Sequence, residues 1–363
     1  MIRIAVIGCG YWGPNLVRNF NELDDVEISA VSDLKPDRLQ LIKKKFPNID
    51  VTVDHNAILD NPYIDAIAIA TPVETHFPLA SEALKNGKSV FIEKPLTSSV
   101  TEAEELINLA ERYNKTLMVG HTFIYTGAVR KIKEIIEKGE IGNIYYFDSV
   151  RVNLGLFRPR VNVIWDLAPH DVSIMDYLLG ANPEYVSAVG VSHFGTGIEN
   201  IAYITINYPD NLLAHIHVNW LAPVKLRKVL ISGSKKMIVY DDTEPDEKVK
   251  IYDKGIILNG SPDKIYDRMV GYRIGDMYSP KIDSAEALRR ECSHFIDCID
   301  NNKIPITDGY AGLRVVRILQ AAQLSIENKN ERVELKCTEK SLTMSKSERD
   351  VRSLISSTST VVA

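Results

Sequence analysis

Short, nearly continuous apolar runs alternate with segments of helical periodicity through the first third of the chain. Residues 2–7 (Ile-Arg-Ile-Ala-Val-Ile) end at Gly8 and suit a strand buried on both faces. The pattern predicts a helix over 14–23 with Pro14 in its first turn, then a strand over 26–32 that ends at Asp33. A second helix is predicted over 36–46, where Leu39, Ile42 and Phe46 share a face. Strands at 51–53, 66–70, 89–92 and 117–119 continue the series, with helices at 78–86, capped by Gly87, and at 101–113. Such alternation predicts an α/β unit with a doubly wound parallel sheet.

The period changes near residue 121. One amphipathic helix is predicted over 128–138, ended by Gly139. Two-residue alternation then takes over at 144–152, 186–191, 201–208, 212–220, 229–232, 237–241 and 248–252. It predicts an α+β unit on an antiparallel sheet with one covered face, closed by helices at 285–301 and 310–327. From Thr338 onward Ser and Thr dominate, a composition that favours loose order. The expected division is therefore 1–121, 122–336 and a tail at 337–363.

Composition narrows the partners. A net charge of −5 with no dominant basic patch argues against nucleic acid. The longest apolar runs, such as 64–70, are too short to cross a bilayer, and no signal-peptide pattern follows Met1. Cys9, Cys292, Cys298 and Cys337 lack metal or redox spacing and read as free thiols of a cytoplasmic protein. No metal is expected, because His215, His217 and Asn219 read as the polar face of one strand.

Gly8, Gly10 and Gly13 form G-x-G-x-x-G between a strand and a helix. Glycines there permit a tight turn, close approach of a pyrophosphate and close helix–strand packing, and the amides of Tyr11 and Trp12 add donors at the helix N-terminus. Asp33, at the end of the second strand, is placed to accept hydrogen bonds from a ribose and to oppose a 2′-phosphate. The cofactor expected is therefore NAD, with NADP less favoured; Arg38 is the nearby residue able to pair a phosphate. Thr71, Pro72 and His76 leave the next strand at the same edge, as does Glu93-Lys94-Pro95, in which a cis Lys94–Pro95 bond is a candidate for aiming Lys94 into the cleft. Asp166 and His170 stand four apart, on one helical face, with Pro169 expected in the first turn. A lysine that lowers a hydroxyl pKa and a histidine that exchanges its proton are the chemistry of an alcohol dehydrogenase. Asp171 and Asp176 are expected to cap or solvate the same helix.

These residues resemble the Gfo/Idh/MocA oxidoreductases from residue 1 to about 335, with Ile69-Ala70-Thr71-Pro72, Gly139-Glu140-Ile141-Gly142 and Asp308-Gly309 as further matches. The resemblance implies a Rossmann domain, a second domain with a large, open, mostly antiparallel sheet, and Lys94, Asp166 and His170 as the catalytic set. It also implies a homodimer or homotetramer formed through that sheet. Where many members carry a glycine-rich stretch, this chain has residues 155–165, which looks similar to the nucleotide-sugar branch. The substrate implied is a sugar or nucleotide sugar oxidised at a ring hydroxyl, at C3 in that branch. Arg158 and Arg160 would clamp a diphosphate or carboxylate, and Tyr125 and Trp165 would line the substrate. A free sugar or inositol, glycoside cleavage by transient oxidation and a non-catalytic sensor are the competing expectations.

Overall fold

The computed structural model describes residues 1–155, 161–195, 197–259 and 269–335. Arg158, Arg160, Cys337 and the 337–363 segment lie outside the described residues. Among those described, the first sheet contains β1 (Ile2–Ile7), β2 (Val26–Ser32), β3 (Asp50–Thr52), β4 (Ala66–Ile69), β5 (Ser89–Glu93) and β6 (Leu117–Gly120). Their order is β3-β2-β1-β4-β5-β6 and every pair is parallel. This is the Rossmann order, with its crevice above the carboxyl ends of β1 and β4. The alternation inside β1 shows why the sheet needs two covers: Ile4 and Val6 pack to one side, Ala5 and Ile7 to the other. Helices α1 (Gly13–Asn21) and α2 (Pro36–Lys45) take the first side. After the short α3 (Asn56–Leu59), α4 (His76–Lys85) and α5 (Val100–Tyr113) take the second.

The remaining elements are α6 (Gly127–Glu137), β7 (Ile144–Leu154), α7 (Val163–Leu179), β8 (Tyr185–Val191), β9 (Ile201–Asn207) and β10 (Leu213–Asn219). They continue with β11 (Leu221–Gly233), β12 (Met237–Asp241), β13 (Val249–Asn259), β14 (Met269–Tyr278), α8 (Ala287–Asp300), α9 (Gly309–Glu327) and β15 (Val333–Glu334). A nine-stranded sheet of the described residues runs β14-β13-β12-β11-β7-β10-β9-β8-β15. It is antiparallel except for β7 beside β10. Phe147, Ile204, Ile206, Ile216 and Ile231 point inward and are covered by α6, α7 and α9. The opposite face is bare in the single chain, with Val189, Tyr203 and Leu213 each more than 40% exposed.

Two helices return to the first sheet. On α8, Phe295 meets Phe20 and Phe91 edge to face at 6.3 and 5.8 Å. On α9, Leu313 and Val316 join the apolar cluster under α5. The core of the nucleotide-binding half is thus completed by residues nearly at the end of the described chain.

The structure departs from the sequence expectations at three places. Helix α7 starts at Val163, so Pro169 sits in its second turn and not its first; the Asn162 side chain caps the helix by accepting from Trp165 N at 3.2 Å. Strand β14 was not expected, because Tyr272, Ile274 and Met277 are all exposed and the in/out alternation that reveals a half-buried strand is missing. Asp171 and Asp176 neither cap nor solvate α7: each accepts from an arginine, Arg151 and Arg314 respectively.

Candidate active site

Lys94 leaves β5 and reaches Asp166 on α7, and Phe123 in the turn after β6 packs on the same helix, while the 8–13 loop, Asp33 and Thr71 lie together at the ends of β1, β2 and β4. Gly8 turns the chain after β1 with φ of +100°, and a Cβ there would lie 2.7 Å from the Ala70 backbone. A Cβ on Gly13 would sit 2.0 Å from the Gly8 carbonyl oxygen, so only glycine lets α1 start so close to β1. Gly10 faces open space, with nothing within 4 Å of a built Cβ. No side chain caps α1, and Tyr11 and Trp12 are exposed just before it. Asn15 N and Leu16 N turn back to the Trp12 carbonyl oxygen. A glycine turn at a helix N-terminus suits a phosphate group.

Asp33 closes the other side of the loop. Its carboxylate accepts from Cys9 N at 2.7 Å, Lys35 N at 2.8 Å and the Arg38 guanidinium at 3.1 Å. Burial works to raise this carboxyl, but the backbone bonds from Lys35 and Cys9 and the Arg38 contact outweigh it and hold the group below its ordinary value. Asp33 is therefore an anion, and Arg38 is turned toward it.

Thr71 and Pro72 leave β4 beside this loop. His76 is 1% exposed, and its ring nitrogens lie 2.9 Å from the Thr71 and Pro95 carbonyl oxygens. It ties two turns of the sheet edge together and does not face the cleft. The Lys94–Pro95 bond is cis. Lys94 reaches across the domain junction, and its Nζ donates to the Asp166 carbonyl at 2.8 Å. Glu93 is buried, which pushes its carboxyl up to about 7 against the lowering influence of Lys94.

The Asp166 carboxylate accepts from the buried Trp220 indole at 3.1 Å, which fixes this residue against the sheet. His170 lies one turn further along α7, with Nδ1 buried and without a partner among the described residues. Burial, Lys94, Arg151 and His121 all push it well below its ordinary value, so it is a neutral base. Phe123 packs its edge on the His170 ring at 5.0 Å, and Arg151 stacks over Phe123 at 4.6 Å. Arg151 and Asp171 are an almost fully buried pair at 2.5 Å, and Ser149 donates to the same carboxylate at 2.7 Å. Trp165 is half-buried between the two apolar cores.

Tyr125 is not at the cleft. It is 2% exposed, its ring packs beside His294 at 5.7 Å, and its hydroxyl is 3.2 Å from Thr307 Oγ1. Its sequence position, just past the last parallel strand, made it a candidate, but the turn over 122–125 points it into the core. Trp220, Phe123, Arg151 and His121 were not singled out from the sequence. Only His121 left a signal there, as a histidine directly after an apolar strand that ends at the ligand edge.

Comparison with known proteins identifies the family. Residues 2–121 match the family model described as "Oxidoreductase family, NAD-binding Rossmann fold", and residues 129–239 match the "GFO/IDH/MocA C-terminal domain". The chain belongs to the Gfo/Idh/MocA oxidoreductases. It is an NAD(P)-dependent oxidoreductase with an NAD-binding Rossmann domain. The UDP-N-acetylglucosamine 3-dehydrogenase of Acidithiobacillus ferrooxidans is 26% identical over 90% of this chain and 97% of that protein. The myo-inositol 2-dehydrogenase of Thermotoga maritima is 24% identical over 90% of this chain and 97% of its own length. Among solved structures, levoglucosan dehydrogenase in complex with NADH superposes with a TM-score of 0.79 at 19% identity, covering 93% of this chain and all (100%) of that one. That likeness concerns the fold. Among the described residues no helix is long and apolar enough to cross a membrane.

Proposed function

We propose that this protein oxidises a ring hydroxyl of a sugar or nucleotide sugar, at C3 in the nucleotide-sugar case. The observation that carries the reading is the junction itself. Lys94 from β5 is anchored on the α7 backbone at Asp166, one turn from the neutral base His170. A cationic donor and a proton acceptor thus flank the same space at the sheet edge where a nicotinamide belongs.

The residues present fit NAD. The 8–13 loop and the first amides of α1 would hold the pyrophosphate, Asp33 the adenosine ribose, and Thr71, Pro72 and Glu93 the nicotinamide side. When bound, the cofactor accepts the hydride that the carbinol carbon gives up. Lys94 Nζ donates to the hydroxyl oxygen and stabilises negative charge as it develops. The His170 imidazole takes the proton. Asp166, held by Trp220, keeps Lys94 and the α7 backbone in register. Because the Asp33 carboxylate is charged, it opposes a 2′-phosphate, which favours NAD over NADP.

The experiment is absorbance at the NADH band, with NAD and with NADP, against UDP- and dTDP-sugars, free sugars and inositols. NADH is expected to accumulate with NAD and a nucleotide sugar bearing a free 3-hydroxyl. Oxidation of inositol or a free sugar alone would remove the nucleotide part of the reading. Glycoside cleavage without net NADH, or ligand binding without turnover, would overturn it.

The bare face of the nine-stranded sheet supports a second part of the proposal: a second copy of the chain covers Val189, Tyr203 and Leu213. There His215 is bonded to Asp148 at 3.0 Å, and Tyr203 stacks on His217 at 4.3 Å, which leaves a flat, ordered surface. Light scattering is expected to give two or four times the 40.7 kDa chain mass, and a monomer would contradict it.

A further inference from the structure

We propose that His121 is a further ligand-contacting residue of this site, one that bonds an uncharged group carrying both a donor and an acceptor. The inference rests on the proposed site at Lys94. Parallel register supplies the placement: Glu93 on β5 pairs with Gly120 on β6, so Lys94 and His121 leave the sheet side by side.

His121 is 1% exposed, and neither ring nitrogen has a partner among the described residues. A neutral imidazole has one N–H donor and one lone pair, and leaving both dry inside a protein is costly. His76, on the same sheet edge and equally buried, differs: each of its nitrogens lies 2.9 Å from a backbone carbonyl oxygen, so its one N–H has an acceptor in either tautomer. His170 Nδ1, near enough for His121 to bear on its charge, is likewise without a partner among the described residues.

The charge of the ring is settled by its surroundings. Burial, Lys94 and Arg314 push His121 down to about 3, so it stays neutral across the working range. A neutral ring next to an ammonium does not select an anion or a cation. It selects a group that both gives and takes a hydrogen bond, which describes a carbinol hydroxyl and a carboxamide. Because the ring is 1% exposed, ligand contact requires a shift of the side chains around it, Lys94 among them, as the ligand enters.

The test uses the full chain and two substitutions. His121→Leu fills the space and removes both polar atoms; His121→Asn keeps one donor and one acceptor. Without ligand, His121→Leu is expected to raise the thermal midpoint by about 2 °C or more, because a dry polar group has been removed. A lowered midpoint would mean that the ring has a structural partner, and would overturn the proposal. Binding of NADH and of ADP-ribose, which lacks nicotinamide, is then compared by titration. Loss of the NADH preference by about tenfold in His121→Leu, restored in part by His121→Asn, would assign the carboxamide. An unchanged preference with kcat/KM for the oxidised sugar down about tenfold would assign the hydroxyl. If both are unchanged, the proposal fails. If no compound in the panel is oxidised, the proposed substrate reading fails separately, while the NADH against ADP-ribose comparison still decides His121.

Discussion

His170→Ala and Lys94→Ala are each expected to lower kcat by about 10²–10⁴-fold while leaving NADH affinity within about twofold. The separation follows from distance along the sheet edge. The 8–13 loop and Asp33 form their cradle with bonds among β1, β2 and α1, and none of those bonds involves Lys94 or His170. The turnover loss follows from chemistry. His170 is held neutral by burial and by the nearby Lys94 and Arg151, so it is ready to accept a proton but has no hydrogen bond at Nδ1 to lose. Its removal should scarcely disturb folding. Lys94 differs because its Nζ also bridges to the Asp166 carbonyl. Lys94→Met, which keeps the length of the arm, is therefore the better control for charge. Stopped-flow or steady-state NADH formation, with fluorescence titration of NADH, checks both halves. Near wild-type turnover in either variant would remove that residue from the chemistry.

Asp171→Ala is expected to cost about 3–5 kcal/mol of folding stability, the largest loss from any single side chain at this junction. The carboxylate is 2% exposed and takes Arg151 at 2.5 Å and Ser149 at 2.7 Å; the arginine is 4% exposed. Removing the acid leaves a guanidinium charge with almost no access to water. It also stands over the Phe123 ring at 4.6 Å, but a cation–π contact is worth about 0.5–2 kcal/mol, too little to replace an ion pair. The double variant Arg151→Met with Asp171→Leu removes both charges and is expected to recover most of the loss, since the cost lies in the unpaired charge and not in a missing bond. Urea unfolding of the three proteins tests this. A single-variant loss under about 1 kcal/mol would show that water reaches Arg151. Activity should fall in the single variant too, because Phe123 lies between Arg151 and the His170 ring.

Much of this site was legible before the fold was known, for reasons that differ by residue. Apolar runs buried on both faces and the glycine spacing after β1 mark a parallel sheet edge in any context, so Gly8, Gly13, Asp33 and Lys94 carried their meaning in local sequence. Asp166 and His170 were legible as a pair on one helical turn. The start of α7 was less so, because Pro169 argued for a first turn, whereas Asn162 supplied the cap seven residues earlier. Asp171 was read as solvated because its partner Arg151 lies on a strand twenty residues away, and only the packing of α7 on the second sheet brings the two together. Trp220 escaped notice for the same reason: its indole reaches Asp166 across fifty-four positions. Tyr125 shows the opposite error, in which proximity in sequence to the ligand edge was taken for exposure to it.

The return of α8 to the first sheet bears on how the molecule is made. A growing chain has completed every strand of the first sheet when Gly120 leaves the ribosome, yet the apolar face at Phe20 and Phe91 still waits for Phe295. The nucleotide-binding half therefore reaches its final packing only after the sheet-rich half has been synthesised, and α9, which packs on both sheets, completes the two together. A chain cut short within the second sheet would lack the ring that closes the Phe20–Phe91 contact.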